Sequence, residues 1–280
     1  MFSFDDNIIP VDGWINQFVD WLVEGYRSFF QGFKVPVELT LNGLEKGLLA
    51  LHPAVIIGLF ALVAWRVSGL RLAAMSVVSL LFIGFLGLWE ETMITLAMVF
   101  SSVVFCVLVG VPLGILAGRS DRFEALLRPL LDGMQTTPAF VYLVPIVMLF
   151  SIGNVAGVLA TIIFSLPPIT RLTTLGIRQV HPELIEAALA FGATGRQVLF
   201  KVQIPLAMPT IMAGLNQTIM MALSMVVIAA LIGAGGLGAP VVRGLNTLDI
   251  GLATIGGLSI VLIAIILDRI TQTIGTIKKQ

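Results

Sequence analysis

"EAALAFGATGRQVLFKVQIP", Glu186 to Pro205, is a polar island in a chain built from long apolar runs. Just upstream, Pro182 fits the first turn of a helix, and Glu183 and Glu186 suit the positive end of its dipole. Leu184, Ile185, Ala188 and Leu189 give that helix an apolar stripe. Gly192 can take the left-handed conformation that ends a helix, and Thr194 is placed to cap the next one. The second helix sets Val198, Leu199 and Val202 on one face and Arg196, Gln197 and Lys201 on another. The expected product is a bent pair of short helices, a compact knob with an apolar flank. Such a knob either fills a groove on a partner or rests on its own bundle as an ordinary loop.

The flanking sequence says what surrounds it. Apolar residues make up 58% of the chain and charged residues 11%, and the mean hydropathy is +1.03. A soluble domain carries about 25% charged residues. Several runs approach the roughly 20 apolar residues that cross a bilayer, and none alternates as the strands of a barrel would. The fold class is therefore an all-α polytopic membrane protein. Seven membrane segments are expected near 53–69, 72–89, 92–117, 138–151, 154–170, 206–232 and 250–268. Pro145, Pro167 and Pro168 are expected to kink or end the fourth and fifth. Helix breakers at membrane depth belong against protein or a water-filled path rather than lipid.

The chain divides into an N-terminal amphipathic region (1–52), a transmembrane domain (53–270, with the short cytoplasmic helices at 182–204) and a tail (271–280). Within Val11–Phe33, Trp14, Phe18, Trp21, Leu22 and Phe29 fall at helical spacing, while Asp12, Asp20, Glu24 and Arg27 interrupt the run too often for a span. That pattern suits a helix lying at the membrane surface. Pro36 is expected to break it before a second short amphipathic helix. The first residues, "MFSFDDNIIP", are acidic and lack the basic start of a cleavable signal.

Orientation follows from Lys and Arg. Arg66, Arg71, Arg119, Arg122, Arg128, Arg171, Arg178, Arg196, Lys201, Arg269, Lys278 and Lys279 fall on one side of this arrangement; Arg27, Lys34, Lys46 and Arg243 fall on the other. The excess puts the C-terminus and the knob in the cytoplasm and the N-terminus outside. Arg66 lies near the cytoplasmic end of its run, where it can snorkel.

Glu186-Ala187-Ala188, three residues, Gly192, nine residues, then Val202, Ile204 and Pro205 resembles the signature EAA-x3-G-x9-I-x-L-P of ABC-importer permeases. The departures, Val202 for Ile and Ile204 for Leu, are volume-tolerant. "LRPLLDGMQTTPAFVYLVPIVMLF" (Leu127–Phe150), "LPPITRLTTLGIRQV" (Leu166–Val180) and "IGAGGLGAPVVRGL" (Ile232–Leu245) resemble the branch importing glycine betaine, proline betaine, choline or proline. The likeness covers residues 90 to 270 and, more loosely, the N-terminal region. It implies the type I importer permease fold in a bacterial inner membrane and a permease homodimer. It also implies two ATPase subunits docked on the knob, and a periplasmic or extracellular binding protein that selects the solute. No G-x-x-x-x-G-K-[ST] occurs in the sequence, so this chain is expected to hold no cofactor, with ATP and Mg bound by the partner ATPase. Moving a two-state gate from 1:99 to 99:1 takes about 5.5 kcal/mol of differential binding. ATP binding by a paired ATPase can supply that; a loop cannot.

Other motifs carry weaker readings. Gly233, Gly235, Gly236 and Gly238 match G-x-G-x-x-G, but they follow a membrane-helix pattern instead of a strand. They are expected to form a flexible turn near an outer gate. Asn216, Gln217, Thr218 and Ser224 interrupt the sixth segment and should face the bundle interior. Either they bond between helices or they line the solute path, and Tyr142 joins the second set. Asp268 and Arg269 are expected to pair at the cytoplasmic boundary. Cys106 reads as a small buried hydrophobe, His52 and His181 lack metal-ligand spacing, and no metal site is expected. A zero net charge gives no sign of nucleic-acid binding. Past residue 50, Trp65, Trp89 and Tyr142 form no evident aromatic cage for a quaternary ammonium ion. The alternatives are an ABC permease for another small solute such as an amino acid, or an ion-gradient transporter. The latter needs paired mid-span carboxylates that this sequence lacks.

Overall fold

The computed structural model describes residues 11–276, apart from side chains at positions within 11–29 and at 275–276. Phe18, Leu22, Phe29, Asp12, Glu24 and Arg27 are among those side chains; Lys278 and Lys279 also lie outside the described residues. The elements are α1 (Val11–Ala50), α2 (Pro53–Ser68), α3 (Leu70–Phe85), α4 (Trp89–Arg119), α5 (Asp121–Thr136), α6 (Ala139–Phe150), α7 (Asn154–Arg178), α8 (Pro182–Ala190), α9 (Gly195–Val198), a π-turn (Leu199–Gln203), α10 (Ile204–Ala230), α11 (Gly238–Thr247) and α12 (Ile250–Thr276).

Every expected apolar segment is helical, but they are unequal. Helices α4, α7 and α12, together with the continuous run Gly195–Ala230, are long and apolar enough to cross a membrane. Phe30–Ala50 meets α2 at 106°, and α5 meets α6 at 99°, so each pair counts at most as one broken span. Helix α3 has 16 residues, about 24 Å of rise against a hydrocarbon core of about 30 Å.

The centre of the bundle is α7, gripped from both sides through small residues. Gly110, Gly114 and Gly118 form one stripe of α4; a Cβ on Gly114 would stand 2.5 Å from Thr173 Cβ, and one on Gly118 2.8 Å from Ile177 Cβ. On the other side, Gly176 of α7 lies against Ala207 and Thr210 of α10, and Gly214 of α10 lies against Ile169 and Leu172. Close backbone approach through small residues is how helices associate where lipid removes the hydrophobic drive between them. Around this core, Ile56, Leu80, Ile83, Met93, Ile263 and Ile266 join α2, α3 and α12 to α4.

The prolines act differently from expectation. Helix α7 runs through buried Pro167 and Pro168 to Arg178 instead of ending near 170. The rings remove the helical donors of the Ile163 and Phe164 carbonyls, and in the same turn Thr218 Oγ1 donates to the neighbouring Ser165 carbonyl at 3.1 Å. Pro36 does not break the first helix either. The chain departs from helical geometry at Tyr26 (φ −123°, ψ 15°), while Pro36 and Gly32, whose carbonyl loses its donor, are both exposed. Beyond the kink the helix is not a surface element. Val37 and Leu41 are buried against Ala97, Met98 and Val158, so this stretch belongs to the bundle.

Two helices fall where the sequence reading has loops. Ser120 caps α5 by accepting from the Phe123 N–H, with Asp121 and Glu124 in the first turn. Helix α11 follows the glycine turn, and Gly244 lets it close on Ala253 of α12.

Candidate coupling site and the polar residues of the bundle

The knob forms as the sequence predicts. Pro182 and Glu183 open α8, and Gly192 takes φ +80° after its end. The Phe191, Gly192 and Ala193 N–H groups donate to the carbonyls of Ala187, Leu189 and Ala188 at 3.1, 2.9 and 3.0 Å, so the last turn is closed by backbone. Thr194 then starts α9 with a capping box: its N–H donates to Gln197 Oε1 at 2.7 Å and its Oγ1 accepts from the Gln197 N–H at 3.4 Å.

The two halves of the knob differ in attachment. Val198 and Leu199 are buried, Val202 and Ile204 half-buried, and Pro205 exposed; Arg196, Gln197 and Lys201 point outward. Leu199 packs with Ile177, Ala207 and Ile211. Helix α8 instead buries none of its residues. Glu186 and Ala187 are exposed and Ala188 half-buried, and Leu184 and Leu189 stay largely uncovered. Phe191, at the tip, is 93% exposed. Ile185 and Leu189 border a cleft of about 260 Å³ shared with Arg119, Gly195 and Gln203.

The π-turn connects knob and bundle without a break. Gly195–Ala230 is one continuous helical run, so α9 and α10 are joined with no break in the helical backbone. Extra-residue turns of this kind concentrate at functional sites. The sequence shows no signal for it beyond the absence of a breaker between Gly195 and Ile204. Beside the knob, Arg178 fastens three helices: its Nη2 donates to the Ala117 carbonyl at 3.0 Å and to Asp121 Oδ1 at 2.7 Å, and pairs with Glu124 Oε2 at 2.9 Å. Arg171 pairs with Asp132, and both basic groups line a cleft of about 330 Å³ between α5 and α7.

The polar residues of the sixth segment separate into two sets. Asn216 and Thr218 bond between helices, Asn216 to α12 and Thr218 to α7. Gln217 and Ser224 lie on an exposed face of α10, Ser224 returning its hydroxyl to the Met220 carbonyl. Tyr142 is elsewhere: its hydroxyl donates to the Met134 carbonyl at 2.5 Å and clasps the bend between α5 and α6. Asp268 and Arg269 do not pair. Neighbours in sequence diverge around a helix; Asp268 accepts from Asn216 and Gln272 while Arg269 is exposed.

The glycine turn is fixed in place. Gly233 and Gly236 take φ +76° and +80°, the Gly235 N–H donates to Asn154 Oδ1 at 2.6 Å, and the Leu237 N–H donates to Thr95 Oγ1 at 2.8 Å. A Cβ on Gly238 would stand 2.4 Å from the Val226 carbonyl oxygen. The expected flexible turn is instead a packed one, holding the end of α10 against the second turn of α4 and the first of α7. His52 is the N-cap of α2, its Nδ1 accepting from the Ala54 N–H. Cys106 is buried against the Ile162 carbonyl and Ser165 Oγ, each 3.6 Å away.

This arrangement has known counterparts. The chain is 58% identical over 272 residues to the glycine betaine/proline betaine transport system permease protein ProW of Escherichia coli (strain K12), covering 97% of this chain and 77% of that one. It is 46% identical to the glycine betaine transport system permease protein OpuAB of Bacillus subtilis (strain 168), covering 97% and 96%. A structure of the MetNI methionine ABC transporter in an inward-facing conformation superimposes with a TM-score of 0.55 at 27% identity, over 66% of this chain and 91% of that one. The relatives are permease subunits of transporters, and the superposition identifies the type I importer permease fold. Residues 110–276, which include the knob, α10 and the whole of α12, match the model of the binding-protein-dependent transport system inner membrane component, and the chain belongs to that family.

Proposed function

We propose that this chain is the membrane permease of an ATP-driven importer for glycine betaine and chemically similar solutes: proline betaine, choline or proline. It works as a homodimer with two ATPase subunits, which bind the ATP and Mg, and with an external binding protein that selects the solute. The C-terminus and knob are cytoplasmic and the N-terminus is outside, in a bacterial inner membrane. The chain keeps three parts: an N-terminal region (1–52), the transmembrane permease (53–270) and a tail (271–280).

One observation carries the coupling role: α8 is rich in Leu, Ile and Ala yet buries nothing, and it is joined through α9 and the π-turn to an unbroken membrane helix. A helix made this way has a partner surface to meet. Glu186, Ala187, Ala188 and Gly192 form the docking half; Val202, Ile204 and Pro205 form the junction that conveys the push. Gln217 and Ser224 are the path-facing residues of α10. Asn216, Thr218 and Tyr142, the other path candidates, serve the path by holding its walls. Gly233, Gly235, Gly236 and Gly238 set the outer end of α10, beside the outer gate. The relatives' names support the solute class.

The test is uptake of radiolabelled glycine betaine by proteoliposomes holding the permease, its copurifying ATPase and its binding protein. Uptake should require ATP, and Glu186→Lys and Gly192→Trp should abolish it while membrane insertion is kept. Uphill uptake by the permease alone, without nucleotide hydrolysis, would remove the coupling role. Binding of an amino acid instead of a betaine by the external protein would move the solute class.

A further inference from the structure

Helix α12 brings two polar side chains, Asp268 and Thr271, to a single amide on α10, with Gln272 bonded to Asp268 behind them. Asn216 Nδ2 donates to Asp268 Oδ1 at 2.9 Å, Thr271 Oγ1 donates to Asn216 Oδ1, and Gln272 Nε2 donates to the same Asp268 oxygen at 2.7 Å. The depth of this cluster is set by its neighbour. Asn216 is two residues from Thr218, whose hydroxyl reaches Ser165 near the middle of α7. Asp268 is half-buried, and among the described residues no basic side chain pairs with its carboxylate. Apolar side chains alone could join the two helices, so a hydrogen-bonded contact between them calls for a role.

The attachments of α10 differ on its two sides. Toward α7 it packs through Gly176 and Gly214, with no room between the backbones for a further methyl group. Helix α12, on its other side, is the least buried of the spanning helices, with 28% of its most apolar stretch inside the molecule. Helix α12 also carries the hairpin α2–α3, through Ile263 and Ile266 against Ile56 and Leu80. Aliphatic surfaces slide past one another, whereas a hydrogen-bonded amide and carboxylate hold one register or another.

We propose that Asn216 and Asp268 are positioning residues that latch α12, and the α2–α3 hairpin with it, to α10, so that a push arriving through the π-turn moves both bodies together. Thr271 and Gln272 orient the amide and the carboxylate. The latch rests on the coupling role proposed above and adds which contact passes the motion outward from α10.

The experiment is glycine betaine uptake and ATP hydrolysis in the same proteoliposomes, with the assembled complex. Asn216→Leu and Asp268→Leu should lower uptake per ATP hydrolysed by about tenfold, the scale of an ordinary coupling energy, while hydrolysis persists. The exchange Asn216→Asp with Asp268→Asn keeps one amide and one carboxylate and should restore the ratio to within about twofold. Thr271→Val, a smaller change, should lower the ratio by about threefold, which provides a reading if the leucine variants do not assemble. Uptake and hydrolysis falling together at an unchanged ratio would show a merely structural contact and overturn the latch. A wild-type permease that shows no ATP-dependent uptake would instead sink the coupling role itself, and the two failures are thus distinct.

Discussion

Gly114 of α4 lies so close to Thr173 of α7 that a methyl group on the glycine would stand 2.5 Å from the threonine Cβ and 2.6 Å from the Thr170 carbonyl oxygen. Neither atom can retreat, because α7 is held from behind by α10 through Gly176 and Gly214. Gly114→Leu should therefore cost about 1–3 kcal/mol or more of bundle stability by overpacking. The detergent-solubilised protein should melt at a lower temperature. Gly133→Leu, where a Cβ meets nothing within 4 Å, is the matched control and should melt no lower than wild type.

The capping box predicts a local defect. Thr194→Ala removes the acceptor for the Gln197 N–H and should destabilise the start of α9 by about 0.5–2 kcal/mol. The bundle core is remote from it, so the melting temperature should hold while transport falls. Faster hydrogen exchange confined to residues 194–200 would locate the effect, and unchanged exchange there would count against the box.

Arg178 offers an electrostatic test. Its partners Asp121 and Glu124 are solvent-accessible, at 92% and 36% exposure, so the ion pairs are screened by salt and contribute about 1 kcal/mol or less each. Arg178→Gln should melt lower than wild type in dilute buffer, with the gap narrowing at high salt. The part of the gap that survives salt reports the Ala117 carbonyl, which loses a donor at the end of α4. A gap that widens with salt would contradict the ion-pair account.

The sequence made the knob legible because its signals are local. Pro182, Gly192 and Thr194 each act on backbone within one turn, and all three stand where their chemistry demands. Prolines deeper in the chain misled, since Pro167 and Pro168 are judged by what packs around them. The close packing of α10 against this stretch of α7, with Thr218 bonded to the Ser165 carbonyl, is invisible without the tertiary structure. The same holds for the sixth segment. Adjacent polar residues 216, 217 and 218 look like one site in sequence, yet a helix turns each by about 100° and sends them to α12, to an exposed face and to α7. Helix α11 and the fixed glycine turn depend likewise on long-range partners, Ala253 for Gly244 and Thr95 for Leu237.

Phe191 carries the sharpest consequence of the knob's shape. The backbone closure of α8 by the Phe191, Gly192 and Ala193 N–H groups holds this aromatic at the tip, almost wholly in solvent. Ordering a large apolar side chain outside the bundle yields no stability to the permease alone, so Phe191→Ala should leave its insertion and melting temperature unchanged. Aromatic anchors dominate protein interfaces, and truncating one costs about 2 kcal/mol or more of binding, or about thirtyfold in affinity. Binding of the copurifying ATPase to the variant, followed by surface plasmon resonance on nanodisc-held permease, should weaken by that factor, and Phe191→Trp should largely restore it. An ATPase that binds the alanine variant as tightly as wild type would move the docking surface away from the tip of α8, toward Leu184 and Leu189 on its flank.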